Sequence, residues 1–382
     1  MQAQIEFSQQ SPFQNFLHQL FSEGYQAEIV QGVFIDYHPY WIQLWICYSK
    51  FGMTDGYPYG MPDGAWALEH WQYLSGMADS EWRPDEWKDF CRRCQRAEGA
   101  APFLVKISIV PGADLTRARI VRSIADRQVE FFCTLEERPI ARAAASVQGS
   151  TGMIADEAGT LGGFLRDRNT GSTYGLTCAH VAQNCGRPVT LNDVSGTKYA
   201  NAGSVFDSNY ATLNTRPGGP CDITIPFLPE HVDIALIEPD RIHTGMNSVS
   251  GIGVVDQIYN PSQFGSGSDV VMRGMSSGKH DYYVGAYCAI YRVLFNDGFY
   301  RCFDKMFQIL STSGRSPWLP QKMAVRPASG DSGAWILCAN ASGNYAYCGT
   351  LVAVDDFSGY ACLADSVLNW AASKHNMVLD PV

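Results

Sequence analysis

From about residue 159 onward the chain repeats one pattern: a short run rich in β-branched and aromatic residues, then a cluster of Gly, Asn, Asp or Ser. The stretches 159–165, 173–177, 233–237, 248–255, 270–273, 282–294, 303–310, 333–338 and 347–354 all read as strands bounded by turn signals. Many short strands bury their alternate side chains only when sheet packs on sheet or a sheet closes on itself. The pattern therefore predicts an all-β sandwich or barrel. One helical stretch, 364–374, ends it, with Val367, Leu368, Ala371 and Ala372 along one side and Asn376 as a stop. No internal repeat recurs at a 20–50 residue period.

The first hundred residues differ. Trp41, Trp45, Trp66, Trp71, Trp82 and Trp87 lie there, out of 9 Trp in the whole chain. Phe13, Phe16, Leu17, Leu20 and Phe21 recur on one helical face. Residues 27–37 and 41–48 read as strands joined near His38-Pro39, and 79–95 as a helix with Ser80 as N-cap and Pro84 in its first turn. Residues 103–110 and 129–134 are further strand candidates around a helix over 115–126. The stretch RAAASVQGSTG, 142–152, then reads as a linker. The organisation expected is a small α+β accessory or regulatory domain over 1–145 and a strand-rich domain over 146–382. Most of the Trp residues belong to the first domain's core, while any left on its face would suit a regulatory partner.

At 382 residues, with 46% hydrophobic and 17% charged, the chain is long and apolar enough for two packed domains. The formal net charge of −10, with no dense basic run, argues against nucleic acid as a partner. No stretch is apolar over the length a bilayer needs, since Asp36 and His38 break the greasiest run, so no membrane partner is expected. The opening MQAQIEFSQQ has no basic segment leading into an apolar one, so the compartment expected is the cytosol, with most of the 12 Cys reduced. Cys91 and Cys94 form a lone CxxC without a second ligand pair, so neither a metal nor another cofactor is expected.

Three local sequences carry chemistry: LTCAHV around His180, HVDIALIE around Asp233 and ASGDSGAW around Ser332. A serine hydroxyl attacks a carbonyl only if a base takes its proton, and histidine titrates near working pH. The imidazolium that forms needs an orienting carboxylate, and the tetrahedral intermediate needs donors aimed at its oxyanion. Gly330 can take a backbone conformation closed to other residues, so its N–H and that of Ser332 would form that hole. The neighbouring carboxylate of Asp331 would hold the loop in shape through an ion pair or hydrogen bonds. Asp222, in PCDITI, is the rival to Asp233 as orienting acid, and His231 reads as a neighbour of the site rather than a ligand.

In this His, Asp, Ser order the motifs resemble those of the trypsin/chymotrypsin serine peptidase superfamily, rather than subtilisins or α/β-hydrolases. The likeness extends to GTLGGFLRDRNTGSTYGLTCAHV, similar to the opening strands of intracellular bacterial and fungal members, and to VVMRGMSSGKHDYYVGAY, similar to a hairpin of theirs. It covers about residues 155–377. The resemblance implies an all-β double six-stranded barrel with a C-terminal helix, and endopeptidase activity on a protein or peptide substrate. It also puts Arg326 at the base of the S1 pocket, where it would favour an acidic P1 side chain; a solvated surface arginine is the plainer reading. Ala334 stands where a second Gly is usual, no cysteine follows His180 to brace its loop, and no Arg/Lys-Ile-Val-Gly-Gly activation site is present. Two other readings compete. One is a catalytically silent binding module on the same fold; the other makes residues 1–145 a self-cleaved prodomain.

Overall fold

The computed structural model describes residues 1–21, 29–41, 85, 103–128, 130–143, 152–192, 197–214, 221, 231–240, 248–311 and 326–382. All but Trp41 of the strand expected over 41–48, nearly all of the helix over 79–95, the CxxC pair and the rival Asp222 lie outside them.

The N-terminal part contains α1 (Gln2–Ser8), α2 (Ser11–Phe21), β1 (Val30–Tyr37), β2 (Phe103–Ile109), α3 (Leu115–Asp126), β3 (Phe132–Glu137) and β4 (Ala141–Ala143). All five apolar residues spaced along one face of α2 are buried. Phe7 of α1 stacks on Phe103 with centroids 4.8 Å apart and meets Phe131 edge-on at 5.4 Å. Each such burial is worth roughly 2 kcal/mol. Asp114 caps α3 by accepting from the amides of Thr116 and Arg117, each at 3.0 Å. Strands β2 and β3 pair in parallel, which requires a crossover, and α3 is that crossover.

The first sheet of the remainder is built from β5 (Gly152–Ile154), β6 (Ala158–Gly159), β7 (Gly163–Asp167), β8 (Thr173–Thr177), β9 (Pro188–Asn192), β10 (Lys198–Ser208), then α4 (Tyr210–Asn214) and β11 (Ala235–Pro239). The second half runs β12 (Ser248–Val249), β13 (Gly253–Ile258), β14 (Asp269–Gly274), β15 (Gly278–Leu294), β16 (Tyr300–Phe303), β17 (Met306–Ser311), β18 (Trp335–Ala339), β19 (Tyr345–Val354) and β20 (Gly359–Leu363). It finishes with α5 (Ala364–His375) and β21 (Leu379–Pro381). The sequence pattern thus yields a strand-rich molecule with few helices. Asn376, with φ 55°, ends α5 in the left-handed conformation an Asn stop allows.

The strands form two sheets. One has eight strands in the order β21-β7-β8-β11-β10-β9-β5-β6, and the described pairings leave this path open. The other has thirteen. Within it β14, β15, β17, β20, β19 and β18 each pair with the next, and β18 pairs back to β14. The expectation of two six-stranded barrels therefore meets one ring of six pairings and one open path among the described residues.

The N-terminal strands extend the larger sheet. β1 pairs antiparallel with β15, placing Val33 opposite Ile290 and Ile35 opposite Tyr287. One buried cluster joins Phe7, Phe13 and Phe16 to Met272, Tyr282 and Ile309, so this segment shares a core with the later half. Arg142 and Ala143, expected as the start of a linker, belong to strand β4, paired to both β15 and β19. Its last residue, Gly152, opens β5, and 144–151, with the 145/146 boundary, lie outside the described residues.

Cysteine state departs from expectation at one pair: Cys221 and Cys302 are disulfide-bonded, across 81 residues of sequence. The other described cysteines, Cys133, Cys178, Cys185, Cys288, Cys338, Cys348 and Cys362, are free thiols, as the sequence reading expected of most. No helix among the described residues is long and apolar enough to cross a membrane.

Candidate active site

Antiparallel register brings the first two side chains together. β8 and β11 pair with Ala235 opposite Thr177. The chain leaving β8 therefore turns through Cys178-Ala179-His180 at the same end where Val232-Asp233-Ile234 enters β11. Both segments are buried, with His180 2% exposed and Asp233 0% exposed. The Asp233 carboxylate meets His180 twice: Oδ2 lies 2.5 Å from Nδ1, and Oδ1 accepts the His180 amide at 3.0 Å. One oxygen fixes the ring and the other its backbone, which leaves Nε2 as the free end of the imidazole. Asn209 braces the acid's segment from behind, its amide donating to Ile234 O and its side chain to Val232 O, each at 3.0 Å.

Ser332 belongs to the other sheet, in the tight loop before β18. Here the backbone is fixed on every side. Ala334 N donates to Asp331 O at 2.9 Å, Gly333 N to Leu351 O at 2.9 Å, and Asp331 N to Ala328 O at 3.1 Å. The Asp331 carboxylate accepts three amides: Ser276 at 2.8 Å, Ser277 at 3.1 Å and Ala328 at 2.6 Å. Of the two arrangements the sequence left open for Asp331, it is the hydrogen-bonded one that forms. Gly330 (φ 103°) and Gly333 (φ 96°) hold backbone conformations that other residues avoid. Among the described residues neither the Gly330 nor the Ser332 amide donates a hydrogen bond.

Thr160 was not singled out in the sequence, and it joins the two halves. Its amide donates to Ser332 O at 2.8 Å and its hydroxyl to Gly330 O at 2.9 Å. The same hydroxyl accepts from Met275 N at 2.9 Å, and its carbonyl accepts Thr177 Oγ1 at 2.8 Å. A threonine inside GTLGG carries no sequence signal for this role, because its partners lie far along the chain.

The serine hydroxyl and the imidazole are not hydrogen-bonded to each other. Ser332 Oγ donates to Val352 O at 3.1 Å, and Ser332 is 0% exposed. His180 Nε2 is buried and has no hydrogen-bond partner among the described residues. Such an orphaned acceptor costs on the order of 1–3 kcal/mol. Phe295 packs edge-on against the imidazole with centroids 5.3 Å apart, and Arg301 lies 4.3 Å over the Phe295 ring. Arg301 in turn pairs with Asp297 at 2.5 Å. Burial pushes the Asp297 carboxyl up, but Arg301, the Phe299 amide and the Tyr210 hydroxyl outweigh it and hold the group at about 2.

Cys178, His180 and Asp233 place ligand-type atoms within 4.8 Å of one another. Each of the three already has a partner within the protein. Burial, and secondarily the Asp233 charge, pushes the Cys178 thiol well above its ordinary range, and its Sγ donates to Leu351 O at 3.1 Å. Both Asp233 oxygens serve His180.

Arg326 is 56% exposed at its side chain and pairs with Asp356 on the surface. Its charge is thus met by an exposed carboxylate at the surface. His231 lies beside the site without entering it, with Nε2 2.7 Å from Cys302 O.

No protein-family model matches the chain, and no curated protein matches it. Solved structures do. Nocardiopsis protease aligns at TM-score 0.35 and 12% identity, over 61% of this chain and 97% of that one. Cellulomonas bogoriensis chymotrypsin aligns at TM-score 0.35 and 15% identity, over 62% and 99%. Thermobifida fusca protease A aligns at TM-score 0.36 and 14% identity, over 61% and 98%.

Proposed function

We propose that the chain is a serine endopeptidase acting on protein or peptide substrates, with Ser332 as nucleophile, His180 as general base and Asp233 as its orienting acid. The observation that carries this reading is the buried His180–Asp233 pair, clamped at 2.5 Å and 3.0 Å with Nε2 unpartnered. A histidine held only for packing would have its second nitrogen satisfied. In this reading the eight- and thirteen-stranded sheets are the two halves of a chymotrypsin-like double barrel, with the triad at their junction.

Catalysis begins with rotation of Ser332 about χ1, from Val352 O towards His180 Nε2. As Oγ attacks the scissile carbonyl, Nε2 takes the hydroxyl proton, and Asp233 stabilises the imidazolium through Nδ1–H. The carbonyl oxygen becomes an oxyanion received by the amides of Gly330 and Ser332. Each such donor is worth about 10²–10³ in rate. His180 passes its proton to the leaving amine, an acyl-enzyme remains on Ser332, and water, deprotonated by the same imidazole, releases the acid. Asp331 and Thr160 act at one remove, as positioning residues for that loop.

The alternative, a silent binding module, draws on the hydrogen bond from Ser332 to Val352 and on the burial of both groups. A fluorophosphonate probe separates the two. The enzyme reading expects covalent labelling that disappears in Ser332→Ala; folded protein that never labels, even at long exposure, supports the module.

A further inference from the structure

Strand β4 lies in an unusual place. It runs parallel to the end of β15, with Ala141 opposite Val293 and Arg142 opposite Leu294. It also runs antiparallel to the end of β19, with Ala143 opposite Ala353 and Arg142 opposite Val354. Those strand ends lead straight into the site. The residue before Ala353 is Val352, whose carbonyl takes the Ser332 hydroxyl at 3.1 Å. The residue after Leu294 is Phe295, which lies edge-on to His180 at 5.3 Å. β4 is therefore an extended segment seated between two strands whose adjoining residues touch the serine and the histidine.

On the basis of the endopeptidase reading, we infer that β4 occupies, in cis, the slot that an extended peptide substrate fills, so that the chain's own residues 141–143 hold the groove shut. Backbone pairing to two strand edges is a general way to bind an extended peptide, with pockets selecting alternate side chains. Here the alternate positions are small and enclosed: Ala141 is 0% exposed and Ala143 5% exposed, while Arg142 between them points to solvent. The slot thus selects peptides with small side chains at two alternate positions and any side chain between.

A buried clip holds β4 in place. Arg138, 4% exposed, pairs with Glu136 at 2.5 Å and donates to Ser358 Oγ at 3.1 Å and Tyr360 OH at 3.3 Å. Its guanidinium also lies over the rings of Phe34 and Phe357. The chain entering β4 is thereby fixed to β20 and the loop before it.

The test measures the rate at which a fluorophosphonate labels Ser332, a step in which Oγ bonds to phosphorus, fluoride leaves and His180 takes the proton. Ala143→Glu places a carboxylate where only a methyl group is enclosed, and should expel β4. The full-length variant is expected to label at least tenfold faster than the unaltered chain. An excess of the peptide acetyl-Pro-Ile-Ala-Arg-Ala-amide should return it to the slow rate. Where Ala143→Glu does not fold, Ala143→Leu, apolar but too large for the slot, carries the same comparison. Equal rates in folded variant and unaltered chain, with the peptide inert, overturn the inference and leave the endopeptidase standing. Absence of labelling in every form overturns the endopeptidase reading and this inference with it.

Discussion

In the eight-stranded sheet the titratable groups of the site have already found each other: His180 and Asp233 share two hydrogen bonds, set by the β8–β11 register. In the thirteen-stranded sheet Ser332 sits in a loop whose backbone is just as tightly fixed, yet its hydroxyl bonds to Val352 of its own sheet. The first half is held by side chains, the second by amides and the three-fold acceptor Asp331. The contrast teaches which part of the site is set by the fold and which is left to move. A dyad fixed at both oxygens cannot rearrange cheaply. A serine on a single bond to a carbonyl changes partner with one staggered rotation.

The largest expected effects lie at the three residues proposed to act together, two on the fixed side and one on the other. Asp233→Asn would keep the shape of the pair and present the wrong hydrogen to Nδ1. Turnover should fall on the order of 10⁴-fold, and His180→Ala or Ser332→Ala by as much or more, because the three act as a unit. Steady-state hydrolysis of a chromogenic peptide measures this. An Asp233→Asn variant within tenfold of the unaltered chain would reverse the comparison and bring Asp222 back as the acid.

Next in size is the disulfide that ties the chain upstream of Asp233 to β16. By loop entropy a bridge spanning 81 residues stabilises by up to about 4.5 kcal/mol. Cys302→Ser should shift the urea midpoint down accordingly, and thiol titration of unfolded, unreduced protein should find Cys221 and Cys302 unreactive. Reactive thiols at both positions would remove the bridge from the account, and would suit the reducing compartment that the sequence suggested.

The serine loop should respond to a single methyl group. A Cβ on Gly333 would stand 2.1 Å from Thr160 O and 2.4 Å from Thr177 Oγ1, in a backbone conformation already unfavourable to it. Gly333→Ala is expected to cost roughly 2–4 kcal/mol from overpacking and strain together. Thermal unfolding reads this; a loss under 1 kcal/mol would show that the amide-held half gives way more easily than the hydrogen bonds suggest.

The same contrast explains what was legible in the sequence. His180, Asp233 and Ser332 stand in short motifs whose residues are neighbours in sequence, so they could be singled out as candidates, and the structure pairs the first two. Strand β8 and helix α3 were foreseen to the residue, since alternation and helical spacing are local as well. Strands β10 and β20 went unseen. The first, KYANAGSVFDS, is polar and broken by a bulge at Asn201 (φ 54°), and becomes a strand only between β9 and β11. The run over 303–310 divides at Lys305 (φ 55°), a left-handed turn with no Gly to announce it. Thr160, the Cys221–Cys302 bridge and the seat of β4 all depend on contacts across dozens to hundreds of residues, which no window of sequence contains.

The smallest expected effect is at Arg326, and it bears on substrate choice in the serine half. Its side chain is 56% exposed and that of its partner Asp356 39% exposed. Exposed pairs of this kind contribute about 0–1 kcal/mol, so Arg326→Ala should move the unfolding midpoint by no more than a degree or two. Selectivity follows the same logic. A charge already neutralised in water has little left to offer an acidic P1 side chain. The ratio of cleavage after Glu to cleavage after an apolar residue should therefore stay within about threefold, less than 1 kcal/mol of differential binding. A tenfold fall in that ratio would mean that substrate draws Arg326 away from Asp356 and into the pocket, which would make the serine half mobile in its side chains as well as in its nucleophile.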